Sequence, residues 1–342
     1  MQWIVARCHD MKILVFGARD YEEPVIKKWS EEHKDVQVDI YPENMTEENI
    51  VKAKGYDGIS IQQTNYIDNP YIYETLKDAG VKVIASRTAG VDMIHFDLVN
   101  ENGLIVTNVP SYSPNAIAEL AVTQAMNLLR KTPLVKKKVC EGDYRWIAEL
   151  LGTEVRSITV GVIGTGKIGA TSAKLFKGLG ANVIAFDQYP NSDLNDILTY
   201  KDSLEDLLKE ADLITLHTPL LEGTKHMINK DTLAIMKDGA YIVNTGRGGL
   251  IKTEDLIEAL ESGKIRAAAL DTFETEGLFL NKKMNPGELT DPEINKLLSM
   301  EQVIFTHHLG FFTSTAIENI VYSSLSSAVE VIKTGTATNR VN

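Results

Sequence analysis

One segment governs the architecture of this chain: Val160-Gly161-Val162-Ile163-Gly164-Thr165-Gly166-Lys167-Ile168-Gly169. The segment predicts a buried strand over residues 158–163, a Gly-x-Gly-x-x-Gly turn, and a helix over about residues 167–177. Gly164 permits a tight turn, Gly166 lets the backbone approach a pyrophosphate, and Gly169 lets the helix pack closely on the strand. The free N–H groups at the start of the helix favour phosphate. We therefore expect a phosphate-binding turn made of Gly164, Thr165, Gly166, Lys167, Ile168 and Gly169.

The next predicted strand, residues 182–186, ends in Asp187. This acid lies about 20 residues beyond the glycine turn, as the dinucleotide-binding pattern requires. A carboxylate there accepts hydrogen bonds from the ribose hydroxyls of adenosine and repels a 2′-phosphate. We therefore expect NAD rather than NADP as the cofactor. The alternative is a turn that binds no phosphate, with Asp187 as an ordinary strand end.

Length and composition exclude several classes of protein. The 342 residues are enough for two domains of roughly 150 residues each. The 35 basic and 47 acidic residues give a net charge of −12, which argues against binding to nucleic acid or to an anionic membrane. No apolar run approaches the ~20 residues of a membrane span, and the N-terminus lacks the apolar core of a signal peptide. We interpret residues 1–10 as an appendage before the first strand.

Cysteine and histidine usage predicts a cytoplasmic protein without a metal site. Cys8 and Cys140 are the two cysteines, and they form neither a disulfide framework nor a metal-binding spacing. No histidine and cysteine cluster has metal-ligand spacing. We interpret His95, His217 and His226 as structural, because the sequence offers them no matching catalytic partners.

Strands and helices alternate along the chain, which predicts parallel sheets covered by helices on both faces. The first series ends at Asn108-Val109-Pro110, and one long helix follows over residues 115–140. A second series of six strands starts with the glycine turn, as in a complete dinucleotide-binding sheet. The last amphipathic helix, residues 313–333, is expected to return to the first domain.

Three strand ends of the second series carry side chains that can act on a small acid. Arg247 follows the strand over residues 241–243, Asp271 and Glu276 follow the strand over 267–270, and His307-His308 follows the strand over 303–305. Ligands bind beyond the carboxyl ends of the strands in such sheets. We expect Thr218, Pro219, Thr245 and Gly246, which also follow strand ends, to line the cofactor site.

This set of side chains suits hydride transfer between NADH and a 2-keto acid. An arginine can hold a carboxylate or carbonyl with its planar fork, and a histidine can give a proton to the carbonyl oxygen. A carboxylate beside the histidine keeps it protonated and oriented. Taken singly, each residue also has a structural interpretation: Arg247 can satisfy loop carbonyls, Glu276 can be a solvated acid, and Asp271 can cap a turn.

The motifs in their order resemble the D-2-hydroxyacid dehydrogenase family, most closely its bacterial D-lactate dehydrogenase branch. The resemblance covers about residues 12–334 and rests on residues 87–92, 108–119, 142–146 and 160–169. It implies that backbone N–H groups near Ala89 and Gly90 bind the substrate carboxylate and that Tyr112 faces the substrate. It also implies that Arg247, Glu276 and His308 are catalytic and that Asp271 supports them.

Three positions depart from the family pattern. Thr306-His307-His308 replaces the usual Thr-Pro-His, and the flanking residues assign the catalytic position to His308. Phe312 stands where a tyrosine is common, which removes a hydroxyl. Gly310 replaces a common alanine and is expected to widen the substrate pocket.

We therefore predict two doubly wound α/β domains with a cleft between them. Residues 1–110 and 312–342 would form a flavodoxin-like substrate domain, and residues 111–311 a Rossmann-type NAD domain. The resemblance implies reversible reduction of pyruvate to D-lactate by a homodimer with the long helix in its interface. Two alternatives are an enzyme for bulkier 2-keto acids and a non-catalytic NAD-sensing or corepressor-type protein. The retained Arg247, Glu276 and His308 argue against the second alternative.

Overall fold

The computed structural model describes residues 11–63 and 65–342, so the interpretation of residues 1–10 as an appendage lies outside the described residues. The chain divides into two compact units. The first unit runs to Ser113 and resumes at Phe312, and the second comprises Pro114–Phe311. Among the described helices, none is both long and apolar enough to cross a membrane.

The first unit contains a five-stranded parallel sheet in the order β2-β1-β3-β4-β5. Its strands are β1 Met11–Phe16, β2 Val36–Tyr41, β3 Gly58–Ile61, β4 Val83–Ser86 and β5 Ile105–Thr107. Its helices are α1 Glu23–Glu32, α2 Pro70–Asp78, α3 Phe96–Glu101, a 3₁₀ turn at Ile50–Ala53 and the C-terminal helix Ser314–Thr334. The order is that of a flavodoxin-like doubly wound sheet.

Alternating side chains of β1 supply two separate cores. Ile13 and Val15 lie in one core with α1 and the C-terminal helix. Leu14 and Phe16 lie in the other core with α2, α3 and the 3₁₀ turn. Both faces of the sheet are therefore buried, which explains the nearly continuous apolar strands.

A buried ion pair lies at the carboxyl end of this sheet. The Nε of Arg87 donates to Oε1 of Glu22 at 2.9 Å, and both side chains are at most 1% exposed. The remaining guanidinium nitrogens donate to Oγ of Ser60 and to the carbonyl oxygen of Phe16, each at 3.0 Å. The buried side chain of Arg87 therefore links Glu22, Ser60 and Phe16 at the point where the loop after β4 begins.

The second unit contains a seven-stranded parallel sheet in the order β12-β11-β10-β9-β6-β7-β8. Its strands are β6 Thr159–Ile163, β7 Asn182–Phe186, β8 Thr199–Tyr200, β9 Leu213–Leu216, β10 Ala240–Asn244, β11 Ile265–Leu270 and β12 Val303–Phe305. Its α-helices are α4 Pro114–Arg130, α5 Thr132–Cys140, α6 Lys167–Gly178, α7 Leu204–Glu210, α8 Lys230–Ile235, α9 Thr253–Glu261 and α10 Pro292–Ser299.

The strand order of the second unit is the Rossmann order with one further strand, and it reverses between β6 and β9. The prediction of two doubly wound parallel sheets is confirmed. The prediction of six strands misses β8, because its two residues are too short to give a periodic pattern.

The single long helix predicted over residues 115–140 is wrong, because the structure has two helices there. Lys131 separates α4 from α5 with a left-handed backbone, φ 53°. Pro133 occupies the first turn of α5, where its missing N–H is tolerated. Inside a continuous helix the same proline would remove a hydrogen bond and clash with the preceding turn.

The buried pair of the first unit generates a stability prediction. Arg87→Met leaves the Glu22 carboxylate buried without its cation, and we expect the protein to lose about 3–5 kcal/mol of unfolding free energy. The double variant Glu22→Gln/Arg87→Met should recover part of this loss, because no unpaired charge remains. Urea unfolding followed by circular dichroism measures both.

The matched control is Arg145→Met, which breaks an exposed pair with Asp143. Solvent-exposed pairs contribute little to stability, so the unfolding midpoint should stay where it is. If the unfolding midpoint of Arg87→Met equals that of the control, the buried pair does not stabilise the protein.

Candidate active site

The glycine turn after β6 has the close contacts that the sequence predicts. Gly164 has φ +88°, and a Cβ on it would lie within 2.9 Å of His217 and Thr218. A Cβ on Gly169 would overlap the carbonyl oxygen of Gly164. A Cβ on Gly166 would instead meet nothing within 4 Å. The turn is therefore packed tightly against protein on two sides and open at Gly166.

The open side is the N-terminus of α6, which has the properties of a phosphate site. Gly166 is the N-cap, so no side chain covers the first N–H groups of this twelve-residue helix. Gly166 and Lys167 are exposed, and Ile168 is half-buried. Unpaired N–H groups and the helix dipole favour an anion at this point. The turn therefore fits the pyrophosphate of a dinucleotide.

Asp187 lies beside this turn at the end of β7. Its Oδ2 accepts hydrogen bonds from the backbone N–H of Thr165 at 2.5 Å and from the Thr165 hydroxyl at 3.1 Å. Its Oδ1 accepts from the N–H of Tyr189 at 2.8 Å. A carboxylate has about four acceptor positions, so Asp187 keeps capacity for a ribose hydroxyl while it orders the turn.

The end of β9 contributes a neutral histidine next to the turn. Burial lowers the pKa of His217 to about 4, so its ring is uncharged at neutral pH. Its Nε2 lies 2.9 Å from the hydroxyl of Thr215, and its buried Nδ1 has no partner among the described residues. Thr218 and Pro219 follow it directly in the chain, and the side chain of Thr218 lies beside Gly164. A neutral His217 adds no charge beside the turn, so the N–H groups at the N-terminus of α6 remain the donors that favour an anion there.

The loop after β10 presents Arg247 to solvent. Asn244 organises the loop: its Oδ1 accepts from the N–H of Gly246 at 3.0 Å, and its Nδ2 donates to the carbonyl oxygen of Arg247 at 2.9 Å. The Arg247 guanidinium donates to the carbonyl oxygen of Gly246 at 3.0 Å and pairs with no carboxylate of the described chain. Thr245 is buried, and its hydroxyl has no partner within the described residues.

Gly248 brings this loop against the one that follows β11. A Cβ on Gly248 would overlap the backbone of Phe273 and Glu274. Only glycine permits so close an approach. The arginine-bearing loop and the carboxylate-bearing loop are therefore in backbone contact.

His308 and Glu276 form a hydrogen-bonded pair in the loops that follow β12 and β11. The Nδ1 of His308 lies 3.0 Å from Oε1 of Glu276, and their side chains are 32% and 22% exposed. The Oε2 of Glu276 accepts from the N–H of Phe273 at 3.1 Å. An ionised carboxylate only accepts, so Nδ1 carries a proton and Nε2 remains for a ligand. Of the two adjacent histidines, His308 is the one paired with a carboxylate, whereas His307 is exposed.

The backbone of His308 has φ +60°, a left-handed conformation that is uncommon for residues other than glycine. Its N–H donates to the carbonyl oxygen of Asp271 at 2.7 Å. The Asp271 side chain is 2% exposed and accepts from the Thr306 hydroxyl at 2.6 Å, from the N–H of Leu309 at 2.8 Å and from the N–H of Gly310 at 2.9 Å. Asp271 therefore orders the loop around His308 rather than contacting its ring.

Two expectations about this region are wrong. A Cβ on Gly310 would lie 3.2 Å from Oδ2 of Asp271 and 3.5 Å from Cγ1 of Ile117, so a methyl group there would meet these two side chains rather than open space. His226 has a partner, since its Nε2 lies 2.5 Å from Oε1 of Glu274. Nothing in the sequence signalled this pair, because the two residues are 48 positions apart.

In the first unit, the loop after β4 offers unpaired backbone donors. The N–H groups of Ala89 and Gly90 have no acceptor among the described residues, although both residues are half-buried. Asn108 donates to the carbonyl oxygen of Ala89 at 2.7 Å, and the Thr88 hydroxyl donates to that of Gly90 at 2.5 Å. The carbonyl groups are thus held while the N–H groups remain available for an anion. Tyr112 is half-buried, and its carbonyl oxygen accepts from Asn319 at 2.6 Å.

Comparison with known proteins identifies the family of this chain. The model of the D-isomer specific 2-hydroxyacid dehydrogenase NAD binding domain matches residues 122–310. A Clostridioides difficile protein named D-2-hydroxyacid dehydrogenase (NAD(+)) is 99% identical over 97% of this chain and 100% of its own. A D-lactate dehydrogenase of Lactiplantibacillus plantarum is 46% identical over 97% of this chain and 99% of its own.

A solved structure extends the similarity to the whole described fold. The D-lactate dehydrogenase of Treponema pallidum is 40% identical and has a TM-score of 0.92, with 97% of this chain and 100% of that chain covered. Family model, sequence relatives and structure agree on the same class of enzyme. The chain belongs to the D-isomer specific 2-hydroxyacid dehydrogenases and is an NAD-dependent oxidoreductase.

Proposed function

We propose that this dehydrogenase catalyses the reversible reduction of pyruvate to D-lactate with NADH. The observation that carries the proposal is the His308–Glu276 pair at 3.0 Å, in which Nε2 of the histidine remains available to a substrate. The names of the relatives from Lactiplantibacillus plantarum and Treponema pallidum support lactate as the product. The D configuration follows from the family.

The residues that would hold NAD are those of the glycine turn and the neighbouring strand ends. Gly164, Gly166 and the N-terminus of α6 would bind the pyrophosphate, and Asp187 would bind the adenosine ribose. Thr218, Pro219, Thr245 and Gly246 would line the remainder of the cofactor site. The bound cofactor supplies or accepts the hydride.

The proposed substrate contacts combine backbone donors with one cation. In the first unit, the N–H groups of Ala89 and Gly90 would bind the carboxylate, and Tyr112 would contact the substrate. In the second unit, Arg247 would bind the substrate and polarise its carbonyl group, because no carboxylate of the described residues pairs with its guanidinium.

His308 would be the acid in reduction and the base in oxidation. Its Nε2 would give a proton to the carbonyl oxygen and take it back from the hydroxyl group. Glu276 would stabilise the charged imidazolium and hold the ring through Nδ1. Asp271 would act as a positioning residue, since its carboxylate is occupied by the loop that carries His308.

An NADH-oxidation assay with pyruvate, 2-ketoisocaproate and phenylpyruvate tests the choice of substrate. We expect the highest kcat/KM with pyruvate and D-lactate as the product in a chiral assay. A higher kcat/KM with either bulky acid would replace the lactate assignment by a broader 2-hydroxyacid dehydrogenase. Turnover of none of the three would favour a non-catalytic NAD-sensing role.

The two adjacent histidines can be separated by mutation. General acid–base catalysis contributes ~10²–10⁴-fold, so His308→Ala should lose that much in kcat/KM for pyruvate. His307→Ala serves as the matched control and should lose less than about tenfold, because this side chain is exposed. The reverse ranking would assign the catalytic position to His307.

Asp187 should set the cofactor preference. A carboxylate and a phosphate about 4 Å apart repel by ~1–4 kcal/mol near a protein surface. Asp187→Asn removes this charge while its amide oxygen can still accept from Thr165. We expect the ratio of kcat/KM for NADPH to that for NADH to rise at least about tenfold. Comparable use of both cofactors by the unchanged protein would contradict the role of Asp187.

We also propose a homodimer and a cytoplasmic location. Exposed apolar side chains follow α5 closely, among them Tyr144, Trp146 and Leu151. Subunit interfaces commonly cover large apolar side chains that cluster on a surface, and we propose that these three side chains lie in the dimer interface. Cys140 is an exposed free thiol, as is usual in a reducing compartment. Light scattering of the eluted protein should give twice the 37.9 kDa chain mass, and a monomer mass would contradict the dimer.

A further inference from the structure

A second histidine–carboxylate pair lies in the same unit as the His308–Glu276 pair. The Nε2 of His226 lies 2.5 Å from Oε1 of Glu274, and the hydroxyl of Thr253 donates to Oε2 of Glu274 at 3.1 Å. The side chains of the pair are 33% and 28% exposed. Both oxygens of Glu274 therefore have partners on other parts of the chain.

The histidine side of this pair is rigidly held. His226 has φ +52°, a left-handed backbone that costs of order 1 kcal/mol or more. Its N–H donates to the carbonyl oxygen of Gly249 at 2.8 Å, and its carbonyl oxygen accepts from Asn229 at 2.9 Å. Residues in such conformations persist where their surroundings hold them, so the backbone of His226 is fixed, and the contact with Glu274 holds its ring.

The carboxylate side leads directly to the proposed catalytic pair. Glu274 lies two residues before Glu276, and the N–H of Phe273 donates to Oε2 of Glu276. Gly248, next to Arg247, is packed against the backbone of Phe273 and Glu274. A displacement of Glu274 would therefore move the segment that orients Glu276 and the glycine that follows Arg247.

We propose that His226 and Glu274 are positioning residues of the dehydrogenase reaction, acting through Glu276. The bond between them joins the loop over residues 217–228, beside the proposed cofactor site, to the loop over residues 271–278 with Glu276. Hydrogen bonds of the pair to Thr253 and Gly249 add the loop over residues 245–253 with Arg247. The pair also distinguishes the two neighbouring carboxylates. Glu274 is hydrogen-bonded to His226 and Thr253, whereas Glu276 is hydrogen-bonded to His308. The inference rests on the proposed function of His308 and Glu276.

A double-mutant cycle tests this coupling. His226→Ala should lower kcat/KM for pyruvate by about tenfold in the otherwise unchanged enzyme. In a Glu276→Gln background the same change should cost less than about twofold, because the group through which it acts is already gone. His226→Gln should restore most of the activity, since its amide can still donate to Glu274.

The pH profile gives a readout that a purely structural role would not move. A poorly held Glu276 stabilises the imidazolium less, so His226→Ala should move the alkaline limb of kcat/KM for reduction to lower pH. The matched control is Asp238→Asn, which breaks the exposed pair with Lys264 elsewhere in the unit. This control should change neither activity nor the limb.

Three outcomes would overturn the inference while leaving the proposed function in place. If His226→Ala lowers kcat/KM equally in the unchanged enzyme and in the Glu276→Gln variant, His226 has only a structural role. The same conclusion follows if His226→Ala lowers kcat/KM without moving the alkaline limb of the pH profile. If His226→Ala does not fold, Glu274→Gln and His226→Gln take its place in the same cycle. The third outcome is a Glu276→Gln variant with impaired activity together with a His226→Ala variant that is fully active. An unchanged enzyme that reduces no 2-keto acid would remove the proposed function as well.

Discussion

The buried carboxylate of Asp271 determines where the proposed acid–base residue lies. The carboxylate accepts three hydrogen bonds from residues 306–310, and the backbone carbonyl oxygen of Asp271 accepts a fourth from the N–H of His308. These bonds hold His308 in a left-handed conformation that an unsupported histidine rarely adopts. The orientation of the imidazole toward Glu276 is thus a consequence of a residue that the ring does not touch.

Close backbone contacts at glycines place the other groups. At Gly169 the helix α6 approaches the turn so closely that any side chain would overlap Gly164. At Gly248 the arginine-bearing loop approaches Phe273 and Glu274 in the same way. The first contact directs the N–H groups of α6 toward a phosphate, and the second joins Arg247 to the segment of Glu276. A larger residue at either position would separate groups that the proposed chemistry requires together.

Much of this arrangement could be predicted from the sequence, because it depends on local patterns. Apolar strands alternating with helices predicted both parallel sheets, and the spacing from Gly164 to Asp187 predicted the cofactor. The pairing of His226 with Glu274 could not be predicted, since the two residues are 48 positions apart and neither has a distinctive neighbour pattern. The surroundings of Gly310 were also hidden, because only the packing of Ile117 and Asp271 reveals where a Cβ would point. The helix break at Lys131 had a local signal in Pro133, which the apolar periodicity of the segment obscured.

The central claim is that Glu276 acts electrostatically on His308, and Glu276→Gln tests it most directly. The amide preserves the shape of the side chain but removes the charge that stabilises the imidazolium. The measurement is the pH dependence of kcat/KM for pyruvate reduction in the variant and the unchanged enzyme. The account predicts that the alkaline limb moves to lower pH and that activity at neutral pH falls. A uniform fall in activity with the limb unmoved would contradict it and would exclude Glu276 as the functional partner of His308.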